Sequence, residues 1–207
     1  MAVSRTQAVA ASTDNVAISS TANNDVILVF AFNSASTTIP SLPSGFSSIL
    51  TDTNVSQAQR TGFKRSTGGD TTSGTWTNAT RVVCMVYAGV VTTGNPYGGH
   101  NTSSGNGSVW TYNSLTMTVG DGSSWVIGMG GERLAGGEGG NTTLLGNRIT
   151  GSLTQGLDSG TGLASYASET ESGMANTRWI TSSLEIMAAA SVTLPDRYIL
   201  TSRLRTW

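Results

Sequence analysis

Charge is the scarcest property of this chain. Only 11% of its 207 residues are Asp, Glu, Lys or Arg, against about 25% in ordinary soluble domains. The net charge is −1, so no basic field exists to attract nucleic acid. Lys64 is the single lysine among eleven basic residues, and arginine suits planar, multi-donor contacts at interfaces. One cysteine, Cys84, excludes an internal disulfide framework and, inside the apolar run V-V-C-M-V, reads as an inert core thiol. One histidine beside one cysteine excludes a zinc site of ordinary spacing. No apolar run approaches the roughly 18 residues of a membrane helix. The first ten residues, M-A-V-S-R-T-Q-A-V-A, lack the basic start and apolar core of a signal peptide. The expectation is a chain made and folded in a cytoplasm, with no membrane and no nucleic acid among its partners.

What the chain has instead is Ser, Thr, Asn and 26 glycines, arranged around short apolar runs. The principal run is residues 25–33, D-V-I-L-V-F-A-F-N. Seven apolar residues, mostly β-branched or aromatic, fit a central strand. Val26, Leu28, Phe30 and Phe32 point one way, and Ile27, Val29 and Ala31 the other. Both faces are apolar, so both must be covered. A partner sheet covers one, and more of this chain or a neighbouring molecule covers the other. Residues 81–88 and 178–190 are two further strong strands. The part from Leu184 to Ala190 also fits a short helix, but Thr181, Ser182, Val192 and Thr193 favour strand.

Proline and glycine punctuate the rest. Pro40 and Pro43 followed by Ser44-Gly45 mark an exposed connection. Short strands are expected at residues 16–20, 46–53, 59–67 and 74–80, with weaker ones at 148–153 and 162–168. Residues 92–107 read as a Gly- and Asn-rich loop. Alternation over 109–119, the turn Gly120-Asp121-Gly122 and the run 124–129 predict a hairpin. About ten strands without an amphipathic helix give an all-β fold, an antiparallel β-sandwich with jelly-roll-like packing. No exact internal repeat is visible. Residues 1–15 form an arm or edge strand, 16–194 the sandwich, and 195–207 a terminal strand or arm.

Candidate chemistry is sparse. His100 has no G-x-S-x-G partner motif and reads as a solvated loop residue. Glu132, Glu138, Glu169 and Glu171 supply carboxylates of the kind that glycoside hydrolysis uses, an enzymatic reading ranked last. Asp14, Asp25, Asp52, Asp70 and Asp121 sit at strand ends and turns without a calcium-loop pattern. The tryptophans Trp76, Trp125 and Trp179 fit core positions. These tryptophans with Trp110, Tyr97 and Tyr112 could make a glycan-stacking platform, and Trp110 and Tyr112, which alternate onto one face, are the better exposed candidates. The Asn78, Asn101 and Asn141 sequons matter only in a secretory pathway. No cofactor and no metal are called for.

Several segments carry a resemblance. Residues 25–32 (D-V-I-L-V-F-A-F), 39–46 (I-P-S-L-P-S-G-F), Phe63-Lys64, 81–90 ending Y-A-G-V, and Asn95-Pro96 follow one another as in a family of β-sandwich proteins from tailed bacteriophages and prophages. Those relatives run a G-D-x-L-L-V strand, a Pro-rich loop ending P-x-G-[FW], a strand with an aromatic and a base, and a strand ending Y-x-G-V…P. Residues 121–130 (D-G-S-S-W-V-I-G-M-G) and 179–186 (W-I-T-S-S-L-E-I) are similar too. The chain departs in having Asn24-Asp25 for Gly-Asp, and its tail beyond Pro195 matches nothing in the pattern. The resemblance implies a virion structural protein without catalytic residues: a capsid decoration protein on the particle exterior, or alternatively a minor tail or tail-tip protein. Its implied partners are copies of itself, a trimer being one such form, and a major capsid or tail protein. Arg197, Arg203, Arg205 and Trp207 are expected assembly contacts. Glycan binding by Trp110 and Tyr112 is the rival expectation.

Overall fold

The computed structural model describes residues 2–134, 142–151 and 153–190. Arg197, Arg203, Arg205, Trp207 and Glu138 lie outside the described residues. Ten strands follow one another: β1 Ser4–Ala11, β2 Asn23–Asn33, β3 Ser47–Asn54, β4 Gln57–Thr67, β5 Arg81–Ala88, β6 Tyr97–Tyr112, β7 Trp125–Glu132, β8 Ile149–Gly151, β9 Thr154–Asp158 and β10 Glu169–Ile186. No helix occurs among the described residues. The first five strands form one antiparallel sheet in the order β1-β5-β2-β4-β3, and the last five form a second in the order β6-β10-β7-β9-β8.

The two orders are the same when five is added to every strand number. Each half of the chain therefore builds the same sheet, and the two sheets face each other. In each half a bridge links the connection before the central strand to the connection before the fifth strand: Ala17 to Thr72, and Leu115 to Tyr166. The ends of β5 and β10 meet in a third antiparallel bridge, Val90 to Ala188, at corresponding positions of the two halves. The sandwich is an internal pseudo-dimer. Because the chain completes one sheet before starting the other, it does not interleave strands between sheets as a jelly roll does.

Between the sheets, Val26, Leu28, Phe30 and Phe32 of β2 join Val83, Met85 and Tyr87 of β5 against Ile127, Met129, Ile180, Leu184 and Ile186 of the second sheet. A β-carbon at Gly131 would strike the Phe32 ring, and one at Gly156 would strike Met85. These glycines let large side chains of the first sheet reach the second backbone. One side of the sandwich is stapled by Asp158, which accepts from Tyr87 Oη at 3.0 Å and pairs with Arg5 at 3.0 Å. β9 is thereby tied to β5 and β1. On the other side, Asn54 Nδ2 donates to Gly105 O at 2.8 Å and Gln57 Nε2 to Arg178 O at 3.0 Å.

Of the two covers the sequence left open for the outward face of β2, the structure supplies the first, more of the chain itself, and no neighbouring molecule is required there. Ile27, Val29 and Ala31 are covered by the chain's own Val16, Ile18 and Trp76, together with Leu42 and Phe46. Trp76 N donates to Asp14 O at 2.8 Å, its indole donates to Ser73 O at 2.9 Å, and its ring meets Phe46 edge-on at 5.2 Å. The connection holding Trp76 is thus an apolar lid over the sheet. Residues 16–20 and 74–80, expected as strands, are these covering connections instead, since bonds to a lid replace bonds to a ladder.

Two further expectations fail for a shared reason. Residues 97–107 are the first part of the long edge strand β6, and 109–129 is not a hairpin, because β6 and β7 both pair with β10 between them. An edge strand exposed to water needs no apolar alternation, so its composition reads as a loop.

Replacing Trp76 with Ala empties the lid. The loss expected is about 3–5 kcal/mol of unfolding free energy, read from denaturant titration. A change below about 1 kcal/mol contradicts the lid role.

Candidate functional site

The second sheet is covered on its outward face by part of its own ribbon. Between Ser172 and Thr177 β10 advances five residues while β6 steps only from Val109 to Gly107. Gly107 and Gly173 both lie in the left-handed region, which glycine adopts without strain. Beyond this irregularity the β6–β10 ribbon lies over β7: Gly130 is pressed by the Trp110 ring and Gly128 by the Tyr112 ring. Thr181 Oγ1 donates to Thr111 O and holds the ribbon down.

The interior of this fold-over contains a buried polar cluster. Glu171 on β10 is 2% exposed. It accepts from Tyr112 Oη at 3.2 Å and from Gln155 Nε2, and Gln155 Nε2 also reaches Tyr112 Oη at 2.7 Å. Arg148 Nη1 stands 4.0 Å from its other oxygen. Gln155 Oε1 and the indole nitrogens of Trp110 and Trp179 have no hydrogen-bond partner. Burial pushes the Glu171 carboxyl above its ordinary range, and the bonds from Gln155 and Tyr112 and the Arg148 charge only partly oppose it. Burial likewise pushes the Tyr112 phenol up, and the Glu171 charge adds to the rise. The cluster can take up and release a proton, but it presents no carboxylate to a bulky substrate.

The other expected carboxylates are occupied elsewhere. Glu132 is 3% exposed. Glu169 accepts from Thr142 Oγ1 and, at 2.9 Å, from Leu144 N. Glu185, which the sequence did not single out, is fully buried and accepts from Gly99, Thr118 and Val119 N–H groups at 2.7–3.0 Å. It pins the connection after β6 onto β10.

Trp110 is 1% exposed and Tyr112 fully buried, so the expected glycan-stacking platform is corrected. Both rings alternate onto one face as read, but the ribbon folds that face inward onto glycines. Tyr97 is half-buried, packed edge-on against Phe63 and His100 at 5.5 and 5.2 Å. His100 is exposed as expected, but on a strand, with Nδ1 2.9 Å from Gly98 O. It borders a shallow polar cleft of about 480 Å3 with Asn101, Ser114 and Thr116. Trp179 is buried and Trp125 half-buried.

Two of the aspartates close turns: Asp25 accepts from Ala22 N at 2.8 Å and Asp121 from Ser123 N at 2.9 Å. Asp52 instead lies within β3 opposite Gln59 and accepts from Thr53 N at 2.7 Å. Asp70 lies 2.5 Å from Lys64 Nζ and 2.8 Å from Ser66 Oγ. Partial burial works to raise its carboxyl, but these two bonds outweigh it and hold the carboxyl below the usual range. Among the described residues no three of His, Cys, Asp and Glu converge as metal ligands would. Burial raises the Cys84 thiol to about 12, so it stays protonated at neutral pH.

In comparisons with known proteins, no family model, no curated protein and no solved structure matches the chain.

Glu171 gives stability a defined pH dependence. Its folded carboxyl titrates above its unfolded one, so between the two the folded state binds more protons. Stability therefore falls as pH rises through that interval and levels off above it. Glu171→Gln keeps the shape and removes the titration. The variant is expected to gain stability relative to wild type at pH 7 and to lose that gain near pH 4. Thermal melts at both pH values read the difference, and an unchanged difference contradicts the assignment.

Proposed function

We propose that the chain is a non-enzymatic structural protein on the exterior of a tailed-bacteriophage particle, where it decorates and stabilises the capsid. The observation that carries this reading is the seating of the resembling segments. The D-V-I-L-V-F-A-F run is the core of β2, and the Pro-rich segment ending in Gly45-Phe46 leads directly into β3. Phe63-Lys64 lies in β4, and R-V-V-C-M-V-Y-A is β5, ended by Gly89 in the left-handed region. The strand segments of the first-half pattern fall on one sheet, and the similar segments 121–130 and 179–186 fall on β7 and β10 of the other.

Surface chemistry supports the same reading. A skin of Ser, Thr, Asn and Gly with little charge generates little long-range field, so its contacts depend weakly on salt. Both outward sheet faces are covered by the chain itself. Attachment to a particle therefore falls to local contacts at strand ends and edges, not to an oily sheet face.

The test is position in a particle. An antibody raised against the purified chain should label phage heads from a strain carrying its gene, and its peptides should appear in the mass spectrum of purified particles. Label confined to the tail contradicts capsid decoration, and absence from particles overturns the proposal.

A further inference from the structure

The exposed large hydrophobic side chains of the described residues are Val55, Val109 and Leu134, at 70%, 45% and 59%. Two of them share one pole of the sandwich. Val55 is the tip of the β3–β4 hairpin, and Leu134 follows the end of β7. The strand ends meet there: Asn54 donates to both Gly105 O and Trp179 O, and Arg133 N donates to Arg178 O at 3.1 Å. Trp179 pairs with Glu132, and Glu132 N donates to Leu153 O at 2.9 Å. Leu153 is the second residue of the two-residue loop between β8 and β9, the hairpin that corresponds to β3–β4 in the repeated topology, where Val55 is the first.

Both hairpin tips break a local rule. Val55 has φ 47° and Leu153 φ 84°. A β-branched or bulky residue in the left-handed region is a true outlier, costing roughly 1–3 kcal/mol. Glycine or asparagine would fit both positions without strain. Two equivalent tips that both carry strained apolar side chains point to a surface that is used.

The opposite pole offers a recess of about 600 Å3 lined by Ala2, Val91, Val119, Trp125 and Ala188, with Asp121 on its wall. Trp125 and Glu132 are the two ends of β7, which places recess and tips at opposite ends of the molecule. The Asp121 carboxyl is held below its usual range by its bonds from Ser123 and is therefore charged. The tip pole carries the exposed Arg133 and the half-buried Arg178 and Arg60, against the half-buried Asp52 and the buried Glu132, so its exposed charge is predominantly basic. Docking tips against tips would oppose arginine to arginine. Docking tips into the recess places apolar knobs in an apolar hollow and Arg133 toward a carboxylate.

We propose that the pole bearing Val55, Leu134 and Leu153 seats in the Trp125 recess of a second copy, so that copies associate head to tail. Such a heterologous contact grows into a ring or an open stack, according to the rotation between copies. The inference rests on the structural-protein reading for its setting, and it names the self-contact within that reading.

Sedimentation velocity of the full chain tests it, at concentrations up to roughly 100 µM, where contacts of small area dissociate. Wild type is expected to show species heavier than the 21.3 kDa monomer. Val55→Gly should sediment as a monomer while melting at the same or a higher temperature, since it removes a knob and relieves strain together. Asp121→Arg and Arg133→Asp should each weaken association, and mixing these two variants should restore it, in assemblies where the two alternate. A wild type that stays monomeric, or an association that Asp121→Arg leaves intact, overturns the inference. Self-association of a protein absent from phage particles would sink the functional proposal alone.

Discussion

Every apolar sheet face in this chain has to be kept from water, and the covering of β2 on both sides decides the architecture. Its inward residues Val26, Leu28, Phe30 and Phe32 demand an opposing sheet, and its outward Ile27, Val29 and Ala31 demand a lid. At about 1.5–3 kcal/mol for each large apolar side chain buried, leaving either face open would remove much of a stability that is normally only 5–15 kcal/mol. The chain answers twice with one plan: five strands, a crossing bridge, and a connection laid over the outward face. The first half does so with a dry lid centred on Trp76. The second uses a folded ribbon that traps Glu171, Gln155 and Arg148 beneath it. One topology thus supports an apolar cover in one half and a partly polar, titratable one in the other.

The repeat was hidden in the sequence because equivalent positions carry unlike residues. β2 is a continuous apolar run, whereas its counterpart β7 reads W-V-I-G-M-G-G-E. The glycines there are receivers for rings that come from elsewhere: Trp110, Tyr112 and Phe32. A strand whose partners supply the bulk needs little bulk of its own. The same exchange misled the reading of Trp110 and Tyr112. Alternation places them on one face, but which face meets solvent depends on the fold-over at Gly107 and Gly173, several residues away in each strand.

What was legible followed from burial on two sides. β2 and β5 announce themselves because every residue from Val26 to Phe32 and from Val82 to Tyr87 is buried. Cys84 as a core thiol and the turn-forming aspartates were legible for similarly local reasons. β6 and β9 were not. β6 is an edge strand of Gly, Asn and Ser with many exposed residues, and β9 has only five residues. Glu185 escaped notice because its partners are backbone N–H groups, which no side-chain motif reveals. The strained tips Val55 and Leu153 are likewise invisible in sequence, since only the backbone shows that their φ is positive.

A molecule that seals its own sheets is free to use its poles and edges for attachment, which is how a subunit of a larger particle would be mounted. The measurement closest to this account is amide hydrogen exchange of the isolated chain, followed residue by residue. If both faces of β2 are covered by the chain itself, the amides of Ile27, Val29 and Ala31 exchange only through global unfolding, together with those of Ile127 and Met129. Exchange of the β2 amides well ahead of the β7 amides in the isolated chain would mean that the lid does not close the sheet, and would contradict the account.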